Sequence, residues 1–344
     1  MRSSALQDWS GKILRVLLPL VISGLAIWFV FREIDLQTLA AAFQSINAGV
    51  WIWCCLAFLI GLLLRVWSWH LILGRQFPFK RVFFVMNAGY LLNNVLPFRL
   101  GEIGRAVLLG SSQVGKPGVL EVLSSIVVER IYDIFLASVF FLSCLPWVVV
   151  SQSARTWALV MLVIVLIIFI LVVWATRRRS AIIAWMERYK GKGRQMIVWL
   201  TPKLDALLRG FSVLTNTRLF LSSFSLMLLS WILSMLQQYP LQLSLIPEGE
   251  WWWVVFVLAA GAFGGALPSA PAAMGVFEAA IVGAFLLLGV EQSRALAYAL
   301  IVHAIQFSFS SIFGLIGLIT EGQSIGNLYR KARQQKGAVK ETTE

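Results

Sequence analysis

Residues 93–106 read NNVLPFRLGEIGRA: two asparagines, a proline, two glycines, two arginines and a glutamate, within a pair of apolar arms at 82–96 and 101–111. The arms hold about 15 and 11 residues, or roughly 22 and 16 Å of helix. Neither crosses the roughly 30 Å hydrocarbon layer of a bilayer. The pair therefore reads as a hairpin that enters and leaves on one side, with LPFRLG at its tip.

Working outward, apolar residues make up 59% of the chain and charged residues 13%, and the mean hydropathy is +0.82. Soluble domains hold about 45–50% and about 25%. The run 157–176, WALVMLVIVLIIFILVVWAT, carries no charge. The expected fold is an all-α polytopic membrane protein with six spans, near 13–31, 50–73, 118–142, 156–176, 218–240 and 294–319. A second broken pair, 252–266 and 273–289, turns at LPSAPAAMG. Counting hairpin arms as spans would raise the number to eight or ten. The alternation of a β-barrel is absent. The start, MRSSALQDWSGKILRVLL, is basic, but the apolar run continues to Phe31 without a small-residue cleavage site. It reads as a retained first span.

Lys and Arg accumulate in cytoplasmic segments. Arg2, Lys12 and Arg15 precede the first span, and Arg75, Lys80 and Arg81 follow the second. Ten basic residues in 177–218 oppose Glu187 and Asp205, and the tail carries Arg330, Lys331, Arg333, Lys336 and Lys340. By contrast 143–154 up to Ala154 lacks charge and 241–251 holds only Glu248 and Glu250. Both ends are expected inside, which six crossings satisfy. The net charge of +13 is accounted for by topology and attraction to anionic headgroups, and no nucleic-acid partner is expected. The stretch 181–214 reads as amphipathic surface helix and 35–46 as a short interfacial helix on the far side.

This orientation sends the two hairpins in from opposite faces. The order span, span, hairpin, span occurs twice, and both hairpins run small residues, Leu-Pro, a turn, Gly and Glu. That is the pattern of an inverted-topology repeat, which places broken helices and a substrate site near the midplane. One transmembrane domain is expected over 1–320, with half-repeats near 13–145 and 155–320, a basic cytoplasmic loop at 177–217 and a basic tail at 321–344.

Asn93 and Asn94 end the first arm, and Pro97 cannot continue a helix interior. Non-helical backbone at membrane depth survives only buried in protein or lining a wet cavity. Gly101 and Gly104 permit close approach. The helix start near Gly101 offers N–H groups suited to an anion, and Arg99 can grip a phosphate with two parallel bonds. Glu102 can pair with Arg99 or Arg105, or hold a headgroup amine. In IVVERIYDIF, Glu129 and Asp133 share a helix face, with Arg130 on another, and Arg65 interrupts the second span. Unpaired mid-membrane charges cost about 2.5–3.5 kcal/mol each, so these four are expected to meet each other and the first hairpin. They pin the hairpin structurally or handle substrate and protons. Glu278 is the expected counterpart of Glu102 on the second hairpin. Pro97, Gly104, Pro268, Pro271 and Gly275 are the expected hinges.

His303 with Gln306, and Gln237 with Gln238, are explained by interhelical hydrogen bonds. His70 and Trp251, Trp252 and Trp253 read as interfacial residues, and the serines of FSFSSIF as packing. Cys54, Cys55 and Cys144 lie in expected spans without CxxC spacing, and only two histidines occur. No disulfide, metal site or cofactor is expected.

NNVLPFRLGEIGRA, VVERIYD and LPSAPAAMGVFE together resemble the lysylphosphatidylglycerol synthase transmembrane region, or flippase-like domain, family over about 13–320. The resemblance is to the membrane half of the multiple peptide resistance factor and implies a lipid-translocating module of the bacterial cytoplasmic membrane. The chain stops about 25 residues after its last span, so the soluble aminoacyl-transferase domain and its activity are not carried over. No Ser-His-Asp set is visible and the chain is not expected to be an enzyme. The expected substrate-binding set is Asn93, Asn94, Arg99, Gly101, Glu102 and Arg105. The expected gating or coupling set is Arg65, Glu129, Arg130, Asp133 and Glu278. Membrane lipids are the expected partners, as anionic phospholipid or lipid-linked headgroup. Two other readings stay open: an accessory scaffold for a lipid-modifying or glycosyl-transferring enzyme, and a membrane-embedded transferase.

Overall fold

The computed structural model describes residues 24–25, 27–28, 36–96, 99–110, 118–149, 151–188, 211–267 and 269–322. Most of the expected span at 13–31, Pro97, Pro268, residues 189–210 and the basic tail lie outside them. The described residues form helices α1 Leu36–Ser45, α2 Ala48–Ile72, α3 Phe79–Val95, α4 Gly101–Leu109, α5 Val119–Val148 and α6 Gln152–Arg177. They continue with α7 Arg179–Arg188, α8 Thr217–Leu245, α9 Trp251–Ala266, α10 Val276–Leu287 and α11 Gln292–Thr320, with 3₁₀ turns at Ser212–Leu214 and Pro271–Ala273. Among the described residues, five helices are long and apolar enough to cross a bilayer: α2, α5, α6, α8 and α11. The protein is a multi-pass helical membrane protein.

The two broken pairs are helical hairpins, α3–α4 and α9–α10. Their arms of 17, 9, 16 and 12 residues measure about 25, 13, 24 and 18 Å, so none spans. At the base of the first hairpin, Arg81 makes a bidentate pair with Glu321 just past the end of α11, at 2.7 and 2.8 Å. At the base of the second, Glu248 pairs at 3.0 Å with Arg294, in the first turn of α11. One hairpin therefore enters where α11 ends and the other where it begins, on opposite faces.

The packing repeats. Helices α2 and α8, each preceding a hairpin, form the most extensive seam, α3 lies against α11, and α9 against α5. Exchanging the set α2–α5 with α8–α11 maps this pattern onto itself. Along the α2–α8 seam, Cys54 bonds the Gln237 carbonyl, Ser230 the Gly61 carbonyl and Ser68 the Ser223 carbonyl. Residue numbers rise in one helix as they fall in the other, so the pair is antiparallel. A two-fold axis relating antiparallel spanning helices lies in the membrane plane, and the halves are inverted copies.

Two helices outrun their expected ends. Helix α8 continues past Pro240 to Leu245, where the sequence suggested a stop. Pro240 cannot bond the Leu236 carbonyl, and the Trp53 indole N–H fills that place from α2 at 2.9 Å. Helix α5 likewise runs to Val148, with Pro146 inside its last turn. Helix α6, the most apolar stretch, is the least packed, and Ile167, Ile170, Leu171 and Trp174 are exposed on it. In a bilayer that surface faces lipid.

Candidate functional site: a charged cavity between two hairpin tips

The first tip is built by its neighbours. Leu100 precedes α4 without a side-chain cap. Instead, Asn93 Oδ1, eight residues back, accepts the Gly101 N–H at 2.7 Å. A Cβ on Gly101 would overlap the Gly89 carbonyl, and one on Gly104 the Leu92 side chain, so these glycines let the two arms touch. Asn94 donates to Ser310 and Ser311 of α11 at 2.9 and 3.2 Å. Asn93 thus spends its oxygen on the hairpin and Asn94 its amide on α11, and the first amide of α4 is not open to an anion.

Arg99 takes the left-handed backbone conformation, φ 51°. Its Nη1 donates to the Gly265 carbonyl of the opposite hairpin at 2.5 Å, and its Nη2 lies 3.3 Å from Glu102. One guanidinium therefore joins the two tips. The second tip bends through Ala272 and Ala273, at φ 59° and 57°, and Gly275 at φ 82°. Left-handed alanines and arginine are uncommon, and sequence reasoning assigned these bends to glycine and proline. Gly275 takes a left-handed conformation, Pro271 opens the short 3₁₀ turn, and Gly104 is a packing contact within an arm.

Behind the first tip lies an ion-pair network. Arg105 Nη1 meets Glu129 Oε2 at 2.9 Å, with both side chains almost fully buried at 1% and 0% exposure. The Arg105 guanidinium also stacks 4.6 Å over the Trp69 ring, a cation–π contact. Arg65 pairs with Asp133 and lies 3.4 Å from Glu129. Arg130 lies 3.4 Å from Asp133 and 3.8 Å from Glu102 and Glu129. The Trp231 indole N–H holds the other Asp133 oxygen at 3.2 Å. The structure thus brings together the Arg65, Glu129, Arg130 and Asp133 set with the first hairpin. Glu278 stands apart: it accepts the Gly275 N–H at 2.8 Å and pairs with His303 of α11.

These groups border a cavity of about 550 Å³ between the halves, within the usual range for a ligand pocket. Arg65, Arg99, Glu102, Arg130, Asp133, Gln238, His303 and Gln306 line it. Four guanidiniums, Arg65, Arg99, Arg105 and Arg130, stand against three carboxylates, Glu102, Glu129 and Asp133. The network carries one surplus positive charge. Trp231 and Tyr90, also in the wall, were missed in the sequence, because an aromatic residue in a span carries no signal separating a hydrogen-bonding role from packing.

A bundle of spanning helices with two opposed hairpins and a charged cavity at their tips defines the class: a polytopic protein with a polar site at mid-membrane depth. A model of the lysylphosphatidylglycerol synthase TM region matches residues 16–314, and the chain belongs to this family. Membership gives it a membrane-embedded, lipid-related role. No curated protein matches the chain.

Proposed function

We propose that the protein translocates an anionic phospholipid or lipid-linked headgroup across the bacterial cytoplasmic membrane, with both termini and the basic 177–217 loop on the cytoplasmic side. It acts as a transporter and not as a transferase, and its partners are membrane lipids. The observation that carries this reading is the surplus guanidinium charge bordering a cavity that both inverted halves enclose. Arg99 and Arg130, 31% and 28% exposed as side chains, present N–H donors to a phosphate. A guanidinium matches phosphate with two parallel hydrogen bonds.

The Arg99–Gly265 bond ties the two tips in this conformation. A phosphate that takes over the Arg99 donors removes that tie, so binding and movement of one tip past the other are linked through one side chain. Alternating exposure of a midplane site by two inverted halves follows the general scheme for such repeats.

The test is reconstitution. In proteoliposomes holding nitrobenzoxadiazole-labelled phosphatidylglycerol, wild-type protein is expected to carry probe between leaflets, read by dithionite quenching. Arg99→Ala is expected to reduce the rate at least tenfold while its gel-filtration profile and helical circular dichroism stay as wild type. An unchanged rate removes Arg99 from the site.

A further inference from the structure

Each half ties the second arm of its hairpin to the following span with a side-chain pair. In the first half Arg105 of α4 reaches Glu129 of α5, 24 residues on, and in the second Glu278 of α10 reaches His303 of α11, 25 residues on. The first pair holds a permanent charge, because arginine stays protonated. The second holds a histidine, the side chain that gains and loses a proton near neutral pH. The two ties join corresponding elements of the inverted repeat, with the carboxylate on the span in the first and on the arm in the second.

We propose that the Glu278–His303 pair is a proton-binding site, and that its proton enters and leaves the cavity together with the anionic headgroup. This deepens the translocation reading and rests on it. With His303 neutral, its Nδ1–H donates to the Glu278 carboxylate and the pair carries one negative charge. A proton added at Nε2 makes an imidazolium beside a carboxylate, and the pair becomes neutral. His303 stands in the cavity wall, with Glu278 buried behind it. The charge facing the cavity therefore changes by one.

The arginine-rich network carries one surplus positive charge. Without the proton, the pair cancels it and the site as a whole is neutral. With the proton, the surplus is uncovered and a singly charged phosphate diester is matched. Proton and anion each raise the affinity for the other, and by linkage the two factors are equal.

Other titratable and charged groups line the same cavity. They are Arg65, Tyr90, Arg99, Glu102, Arg130 and Asp133. Among the described residues, none of these charged groups forms an ion pair with Glu278 or His303. Tyr298, earlier on α11, donates to Gln238 of α8, and Cys54 of α2 bonds the Gln237 carbonyl. Helix α9, which packs against α10, contains no titratable residue. The Phe277 ring lies 5.0 Å from the imidazole.

The experiment is calorimetric binding of dihexanoyl phosphatidylglycerol to the detergent-purified full-length protein. It is run between pH 5.5 and 8.5 in buffers of different ionisation enthalpy, which reports protons taken up on binding. Wild type is expected to bind about tenfold more tightly at the acid end, within the usual span of coupled sites, and, by the same linkage, to take up about half a proton at its maximum within the range. Glu278→Gln keeps an oxygen for the Gly275 N–H and removes the negative charge. Its binding is expected to be independent of pH, as tight at pH 8.5 as wild type at pH 5.5, and without proton uptake. His303→Gln, a second variant should the first fail to fold, is expected to displace the pH profile by a unit or more.

Wild-type binding without proton uptake overturns the proton site, as does uptake that persists in Glu278→Gln or a profile unmoved in His303→Gln. In each of those cases the Arg99 reading stands on its own transport assay. Absence of wild-type binding at every pH sinks the headgroup reading and the proton site together.

Discussion

Arg105 and Glu129 meet at 2.9 Å with almost no exposure to solvent. Breaking a buried pair leaves an uncompensated charge and costs about 3–5 kcal/mol. Arg105→Met is expected to sit near the lower end, because Arg65 and Arg130 still lie 3.4 and 3.8 Å from Glu129. Glu129→Gln is expected to cost more, because three guanidiniums then lose their common carboxylate. Thermal unfolding in detergent, followed by fluorescence, checks both the losses and their order. The partners of Arg65, Glu129, Arg130 and Asp133 were legible in the sequence because charge at membrane depth must be paired. What was not legible was how Asn93 and Asn94 would be used. An asparagine at a tip suits a ligand and a cap equally, and only the distance to Gly101, Ser310 and Ser311 separates the two.

At the scale of the element, the hairpins follow from arm length alone, since helices of 9 to 17 residues are too short to cross. The bends at their tips do not follow from composition. Arg99, Ala272 and Ala273 adopt left-handed conformations that sequence assigns to glycine, and the tip-to-tip contacts hold them there. The seam between α3 and α11 depends on glycines that read as ordinary membrane-helix residues. A Cβ on Gly314 would fall 2.5 Å from both the Asn87 carbonyl oxygen and Leu91 Cβ, and one on Gly317 would overlap the Phe84 carbonyl. Small residues let helix backbones approach closely in membranes. Gly314→Leu is expected to push the first hairpin off α11, losing about 1–3 kcal/mol from overpacking. The shift also separates Asn94 from Ser310 and Ser311. The readout is accelerated proteolysis at the hairpin base and a lowered melting temperature, with Gly314→Ala affected less than Gly314→Leu.

At the scale of the whole molecule, the halves share a backbone plan but not a chemistry. Leu96-Pro97 recurs as Leu267-Pro268, 171 positions on by number. At the same displacement, Arg65, Arg99, Glu129, Arg130 and Asp133 meet Leu236, Ala270, Leu300, Ile301 and Ala304. The repeat is weak in sequence for this reason: the charged wall was built into one copy, and topology alone preserves the relation. Opposed entry of the hairpins is then the property on which both the cavity and the alternating scheme depend, and it is open to a direct chemical test. With Cys54, Cys55 and Cys144 replaced by alanine, single cysteines go in at Gln76, in the turn before α3, and at Glu248, in the turn before α9. Both positions are exposed. A membrane-impermeant maleimide applied to intact cells is expected to label the Glu248→Cys protein and spare the Gln76→Cys protein, and inverted vesicles are expected to reverse the result. Labelling of both from one side would place the two hairpin bases on the same surface, and the tips could then no longer meet as the two ends of one path across the bilayer.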